Sequence, residues 1–129
     1  YDALGTLGVR LTGATAYRQG HETDSPTLNT MREYLAKNRP DVKHVSPFYM
    51  ASWVAGLMFA EIAERTLKAG KPLELAHMKA ALESMKDWDS GGIIGPKVDV
   101  SSHQVPAGRV YSYDPAKKTM EPEGDWIKV

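Results

Sequence analysis

The sequence predicts a mixed fold of helices and strands, of the α/β or α+β class. Three segments carry apolar residues at helical spacing, and three others carry the β-favouring residues of short strands. The two kinds follow one another in the order β, α, α, α, β, β, with no internal repeat. One of the helices is too long and too apolar for three strands to cover, so we expect the chain to be part of a larger sheet.

Composition limits the class of protein. The chain has 129 residues, with 16 basic and 16 acidic side chains and 42% hydrophobic residues, which is typical of one globular domain and excludes a disordered chain. A net charge of zero lacks the positive field that non-specific binding to nucleic acid requires, so we expect no nucleic-acid partner. The chain has no cysteine, which excludes disulfides and thiolate metal sites.

The first strand is predicted over residues 8–17, where Val9, Leu11 and Thr15 favour extended structure. The residues before it are typical of the end of a helix whose beginning is missing, so we expect a fragment of a longer protein. A helix is predicted over residues 26–38, because Ser25 is a suitable N-cap and Pro26 suits the first helical position.

A longer helix is predicted from Pro47 to a terminal Gly70, after Ser46 as N-cap. Its first half is apolar almost all round, which predicts burial on several sides, and Gly56 predicts close approach of another backbone. The uncharged apolar run over residues 45–60 is shorter than the roughly 20 residues that span a bilayer. We therefore expect a buried helix rather than a membrane anchor.

The remaining elements are shorter. Residues 74–86 predict a third helix, because their apolar side chains fall on one face. A glycine-rich turn, a strand over residues 93–100 with Pro96, an alternating strand over residues 108–114 and a hairpin-like tail follow.

Catalytic and metal-binding patterns are weak. The four histidines are never three or four positions apart, so a helical metal site is not predicted, and solvated loop side chains or metal ligation remain alternatives for His21, Glu22 and Asp24. Ser101, Ser102 and His103 are adjacent and lack the turn that exposes a nucleophile. We expect no enzyme activity, no catalytic residue, no metal and no cofactor.

Two tyrosines are candidate ligand contacts. Tyr17 comes at the carboxyl end of the first predicted strand, and Tyr49 lies in the first turn of the long helix, whose backbone N–H groups suit a carboxylate. Core packing or surface stacking is the alternative for both.

Three stretches together resemble a known family. They are VRLTGATAY, SPFYMASWVAGLMFAEIAERTLKAGK and LESMKDWDSGGIIGPKVDVSSHQVPAGRVYSYD. Their order and spacing resemble the C-terminal part of a periplasmic substrate-binding protein of the branched-chain amino acid type (Leu/Ile/Val-binding-like), the receptor of an ABC importer. The resemblance covers essentially the whole chain.

The resemblance implies a periplasmic binding protein type I fold, with two α/β lobes built from parallel sheets wrapped by helices. This chain would be its C-terminal fragment. Residues 1–44 would end the second lobe, residues 45–101 would belong to the first lobe, and residues 102–129 would cross over and return to the second lobe.

The implied function is an extracellular solute-binding receptor that holds an amino acid, an amide or an aromatic carboxylate between two lobes. Its partner would be the membrane permease of the transporter, and its place the periplasm or cell exterior, with a signal peptide on the absent N-terminal portion. Tyr17 and Tyr49 match positions where the family places aromatic residues. A ligand-sensing regulatory protein is the alternative.

The fragment interpretation has two consequences. A pocket that draws on both lobes is incomplete here, so we expect the chain alone to bind small molecules weakly. The strands of the longer protein that would cover Trp53, Leu57 and Met58 are absent from this chain. We therefore expect these side chains to be exposed and the chain to self-associate.

Overall fold

The computed structural model describes residues 10–128, which form three helices and a four-stranded antiparallel sheet. The elements are β1 (Thr12–Thr15), α1 (Pro26–Asn38), α2 (Pro47–Lys68), α3 (Leu75–Glu83), β2 (Ala107–Asp114), β3 (Thr119–Pro122) and β4 (Ile127–Lys128). The helix end predicted before the first strand lies outside the described residues.

The first two helices confirm their predictions, because both begin at the predicted caps. The Oγ of Ser25 accepts a hydrogen bond from the Leu28 N–H, and the Oγ of Ser46 accepts one from the Tyr49 N–H, each at 3.2 Å. After α2, Gly70 has a φ of 68°, a conformation that glycine adopts at little cost. Local capping chemistry therefore sets these helix boundaries.

The third helix ends three residues before the predicted limit. Its C-cap is Ser84. The next residue, Met85, accepts a backbone hydrogen bond from Val100 at 3.0 Å instead of continuing the helix. A long-range contact therefore shortens α3.

The predicted parallel sheets wrapped by helices are wrong. β2 pairs in antiparallel register with β1, β3 and β4, including Gly13 opposite Tyr111 and Tyr113 opposite Met120. Parallel strands buried on both faces are almost continuously apolar, whereas only Ala107 and Tyr111 are fully buried along β2. The described chain is therefore a small α+β fold.

The strand predicted over residues 93–100 is also absent as a regular strand within the described residues. Only an isolated bridge joins Trp88 and Val98, through backbone hydrogen bonds of 2.9 and 3.0 Å. Gly91 and Gly92 have φ values of 66° and 87°, which turn the chain just before this segment.

One hydrophobic core joins segments that are far apart in the sequence. Its buried members come from α1, α2, residues 85–100 and β2, and are Leu28, Met31, Leu35, Met50, Val54, Met85, Trp88, Ile93, Ile94, Val98, Val100 and Ala107. This core includes residues from each of the three predicted domain segments. The assignment of those segments to lobes stays a prediction.

Burial of α2 on several sides is wrong for the described chain. Phe48 is 85% exposed and Phe59 is 62% exposed, and a Cβ placed on Gly56 would meet nothing within 4 Å. Trp53, Leu57 and Met58, predicted to be uncovered, are partly buried against the core. Within residues 10–128, no helix has the length and apolar character needed to cross a membrane.

Candidate functional site

A hollow of about 710 Å³ lies beside the C-terminal half of α1. We call it the basic hollow. It is lined by Gln19, Gly20, His21, Arg32, Leu35, Ala36, Arg39, Pro40, Val42, Lys43, His44, Val45, Pro47, Lys118, Thr119 and Met120. Segments far apart in the sequence therefore form its wall: the loop after β1, α1 with the connection to α2, and the turn into β3.

The charge of the hollow has one sign. Arg32, Arg39, Lys43 and Lys118 line it, and no aspartate or glutamate is among its described lining residues. A wall with this composition favours an anion, because cations of one sign in a concave surface reinforce one another.

Arg32 fixes one side of the hollow. Its Nη1 donates hydrogen bonds to the carbonyl oxygens of Gly20 at 2.9 Å and Glu22 at 2.7 Å, which ties the loop after β1 to α1. A Cβ on Gly20 would lie 2.8 Å from the Cβ of Val45, so glycine permits the close approach of the two loops. The wall at this place is held by packing and by hydrogen bonds.

The connection between α1 and α2 carries the more accessible cations. Arg39 forms two hydrogen bonds with Asp41, at 2.9 and 3.1 Å, and the hydrogen bond from Arg39 lowers the pKa of Asp41. Lys43 and His44 are exposed, and neither has a hydrogen bond or ion pair with another residue of the described chain. Their side chains are therefore available to an incoming anion.

One carboxylate reaches the rim. The Oε1 of Glu121 lies 3.2 Å from the Nε2 of His21 and accepts a hydrogen bond from Thr119 at 2.7 Å. The hydrogen bond from Thr119, followed by that from Lys117, lowers the pKa of Glu121. Because these neighbours stabilise its ionised form, Glu121 stays ionised near neutral pH, and it forms an ion pair with Lys117 at 3.0 Å.

A largely buried ionic network holds the loop after β1 in place. The Oε2 of Glu22 lies 3.0 Å from Arg18 and 3.4 Å from Arg109, and its Oε1 accepts a hydrogen bond from the Tyr111 hydroxyl at 2.9 Å. The side chains of Glu22, Arg18 and Arg109 are only 10 to 16% exposed. Arg18 also donates to the carbonyl of Gly92 at 2.7 Å. The network therefore joins the loop after β1 to β2 and to the turn after Trp88.

Tyr111 makes the stability of the folded chain depend on pH in the alkaline range. Burial, reinforced by the hydrogen bond to Glu22, raises the pKa of Tyr111 above its ordinary value. The folded state holds the phenol proton more tightly than the unfolded chain does. Tyr111 therefore contributes stability that is complete below a pH of about 10 and is lost as the pH rises further.

We expect the Tyr111→Phe variant to lose part of this dependence. Denaturant unfolding between pH 8 and pH 11 should show a smaller fall in the free energy of unfolding for the variant than for the parent chain, because a phenylalanine releases no proton. Equal slopes for the two proteins would contradict the role assigned to Tyr111.

The two predicted ligand contacts lie apart from the basic hollow. Tyr17 is half-buried and lines a second hollow of about 270 Å³, together with Val54, Met58 and His103 among others. Tyr49 lies in the first turn of α2, as predicted, and its ring stacks on Trp53 with centroids 6.4 Å apart. The structure does not bring the two tyrosines to one described hollow, and their contact with a ligand stays a prediction.

The metal-ligand alternative for His21, Glu22 and Asp24 is not formed in the part of the chain that the structure describes. No three histidine, aspartate or glutamate side chains there are arranged to hold a metal ion. Glu22 is part of the ionic network and contacts Arg18, Arg109 and Tyr111. Ser101 donates to Asp99, and His103 lies 3.4 Å from Glu83.

The sequence analysis missed the residues of the basic hollow. Arg32, Arg39 and Lys43 were given no role in binding, and His44 was considered only as one of four histidines without the spacing of a metal site. Their signal was a concentration of positive charge over residues 37–44 in a chain of zero net charge. Spacing could not reveal the contribution of Lys118, which arrives from the other end of the chain.

No family model, curated protein or solved structure matches the chain.

Proposed function

We propose that this chain belongs to a receptor that binds a small organic anion and delivers it to the membrane permease of an ABC importer, in the periplasm or at the cell exterior. The basic hollow is the observation that supports binding of an anion, and the resemblance of the sequence to substrate-binding proteins is what supports the transport role. Among the ligand classes expected from the sequence, it favours those with a carboxylate, such as amino acids and aromatic carboxylates, over neutral amides.

The size and lining of the hollow support such a ligand. Its volume of about 710 Å³ falls within the range of roughly 300 to 1,000 Å³ that is usual for small-molecule sites. Leu35, Val42 and Met120 offer apolar surface beside the cations. A ligand with a carboxylate and a hydrocarbon or aromatic body can use both kinds of wall.

Binding by this chain alone should be weak. The exposed cations are hydrated before a ligand arrives, so each ion pair contributes little net free energy. We therefore expect dissociation constants on the order of 1 mM for benzoate or an aliphatic amino acid, which corresponds to about −4 kcal/mol.

The test is calorimetric titration with benzoate, leucine and benzamide. Benzoate and leucine should bind, and benzamide should bind at least tenfold more weakly, because the amide lacks the charge. The double variant Arg39→Gln, Lys43→Gln should weaken benzoate binding at least tenfold. Lys37→Gln, which removes a positive charge in the last turn of α1 but outside the hollow, should leave it within twofold.

Equal affinity for benzoate and benzamide, or no loss in the double variant, would contradict the binding site. The transport role needs a separate test, namely uptake of the bound anion by cells that lack the gene. Loss of uptake supports the receptor, whereas unchanged uptake with altered gene expression would favour the regulatory alternative.

A further inference from the structure

One face of α2 is exposed and uncharged. Phe48, Ser52, Ala55, Gly56 and Phe59 are all exposed, and we call them the open face. α2 has no charged residue before Glu61. The solvent-facing side of a helix in a soluble protein usually carries charged and polar residues. An exposed face that has no charge and two phenylalanines is instead typical of an interface.

Four of the five open-face residues, all except Gly56, are placed symmetrically along the helix. Phe48 lies four positions before Ser52, Ala55 lies three positions after Ser52, and Phe59 lies four positions after Ala55. The pattern large, small, small, large therefore reads the same from both ends. A two-fold interface requires this kind of self-complementarity, because both copies contribute the same surface.

We propose that the open face packs against the open face of a second copy of this chain, with the two α2 helices antiparallel. In this arrangement Phe48 of one copy meets Phe59 of the other, and Ser52 meets Ala55. The small residues let the helix axes approach, and Gly56 has open space around its Cα, so its close approach to another backbone is made between copies.

The area that becomes buried suits a weak dimer. The 85% and 62% exposure of Phe48 and Phe59 corresponds to roughly 300 Å² per copy. The four rings thus supply roughly 600 Å², and the exposed small residues between them extend the total towards the roughly 1,000 Å² of a minimal specific interface.

Charge favours the antiparallel arrangement over the parallel one. The N-terminal end of α2 follows Lys43, which has no ion pair within residues 10–128, and the helix dipole adds positive charge at that end. Near the C-terminal end, Glu61 pairs with Arg65 and Glu64 pairs with Lys68 on the same helix. Antiparallel helices separate the two basic ends, whereas parallel helices place them together.

Sedimentation velocity over a range of concentrations tests the association. We expect a monomer–dimer equilibrium with a dissociation constant on the order of 10 μM, corresponding to about −7 kcal/mol. Phe59→Glu should weaken dimerisation at least tenfold. Leu75→Glu introduces the same charge at a residue that is 86% exposed on α3, and it should change the dissociation constant less than twofold.

A monomer at all concentrations, or equal weakening by Phe59→Glu and Leu75→Glu, would overturn the proposal. Circular dichroism of both variants checks that they fold, and the exposed position of each residue makes unfolding unexpected. The association does not depend on a bound anion, so its failure leaves the proposed function intact.

Cross-linking tests the orientation. The chain has no cysteine, so Phe48→Cys and Phe59→Cys each introduce a single thiol. Positions 48 and 59 of antiparallel partners face each other, whereas two copies of position 48 lie about 16 Å apart along the axis, beyond the reach of a disulfide. An equimolar mixture should oxidise to the mixed dimer. Disulfides formed mainly between identical variants would overturn the antiparallel arrangement.

Discussion

Glu22→Ala is expected to lower the free energy of unfolding by about 3 to 5 kcal/mol. The carboxylate contacts Arg18, Arg109 and Tyr111 in a place where its own side chain is 10% exposed. Its removal deprives the largely buried Arg109 of its carboxylate partner, whereas Arg18 keeps an ion pair with Asp24 at 2.7 Å. That cost is a large fraction of the 5 to 15 kcal/mol that stabilises a typical domain.

Two further variants separate the charge from the hydrogen bonds. Glu22→Gln keeps an oxygen that can accept a hydrogen bond from Tyr111, so it should be less destabilising than Glu22→Ala. Glu33→Ala, at an exposed position of α1, should change stability by less than about 0.5 kcal/mol. The network would lose its assigned role if denaturant unfolding showed similar small losses for all three variants.

Gly91→Ala is expected to lower the free energy of unfolding by about 2 to 5 kcal/mol, the sum of a strained backbone and an overpacked contact. Gly91 has a φ of 66°, and a Cβ there would lie 1.9 Å from the Oγ1 of Thr27. Its carbonyl oxygen also accepts hydrogen bonds from the Thr27 N–H at 3.2 Å and the Ser25 hydroxyl at 2.9 Å. Displacing this turn therefore disturbs the start of α1.

Gly70→Ala is the matched control for backbone strain. Gly70 has a φ of 68°, and a Cβ there would meet nothing within 4 Å. The control should therefore lose only the backbone contribution, about 1 to 2 kcal/mol. Thermal or denaturant unfolding that gave equal losses for the two variants would show that the contact with Thr27 is not formed as described.

Helix boundaries could be predicted because their causes are local. Ser25 with Pro26, and Ser46 with Pro47, combine an N-cap oxygen with a residue suited to the first helical turn. These interactions involve residues only a few positions apart, so a single sequence displays them. The same reasoning failed at the end of α3, where the backbone contact of Met85 with Val100 comes from outside the segment.

Strand direction could not be predicted in the same way. The alternating pattern over residues 108–114 revealed a strand with one buried face, but its partner β1 lies more than 90 positions earlier in the chain. The resemblance then favoured parallel sheets, and the observed antiparallel pairing overturns that prediction. Alternation in β2 was itself a sign of antiparallel pairing.

The candidate site depended on long-range contacts even more strongly. Glu22 lies in a polar loop in the sequence, and only its contacts with Arg109 and Tyr111 show that it is a buried partner of β2. The basic hollow likewise requires Lys43 and Lys118, which are 75 positions apart in the sequence, to line the same cavity. Prediction from the sequence instead concentrated on Tyr17 and Tyr49, whose positions at element ends are visible locally.

Nuclear magnetic resonance of the ¹⁵N-labelled chain during titration with benzoate tests the basic hollow most directly. Binding of the anion there should shift the backbone signals of Gly20, His21, Lys43 and His44 in a saturable manner, with a single dissociation constant on the order of 1 mM. The Arg39→Gln, Lys43→Gln variant should lose these shifts. Unchanged signals at these residues, or saturable shifts confined to the second hollow around Val54 and Met58, would contradict an anion site in the basic hollow.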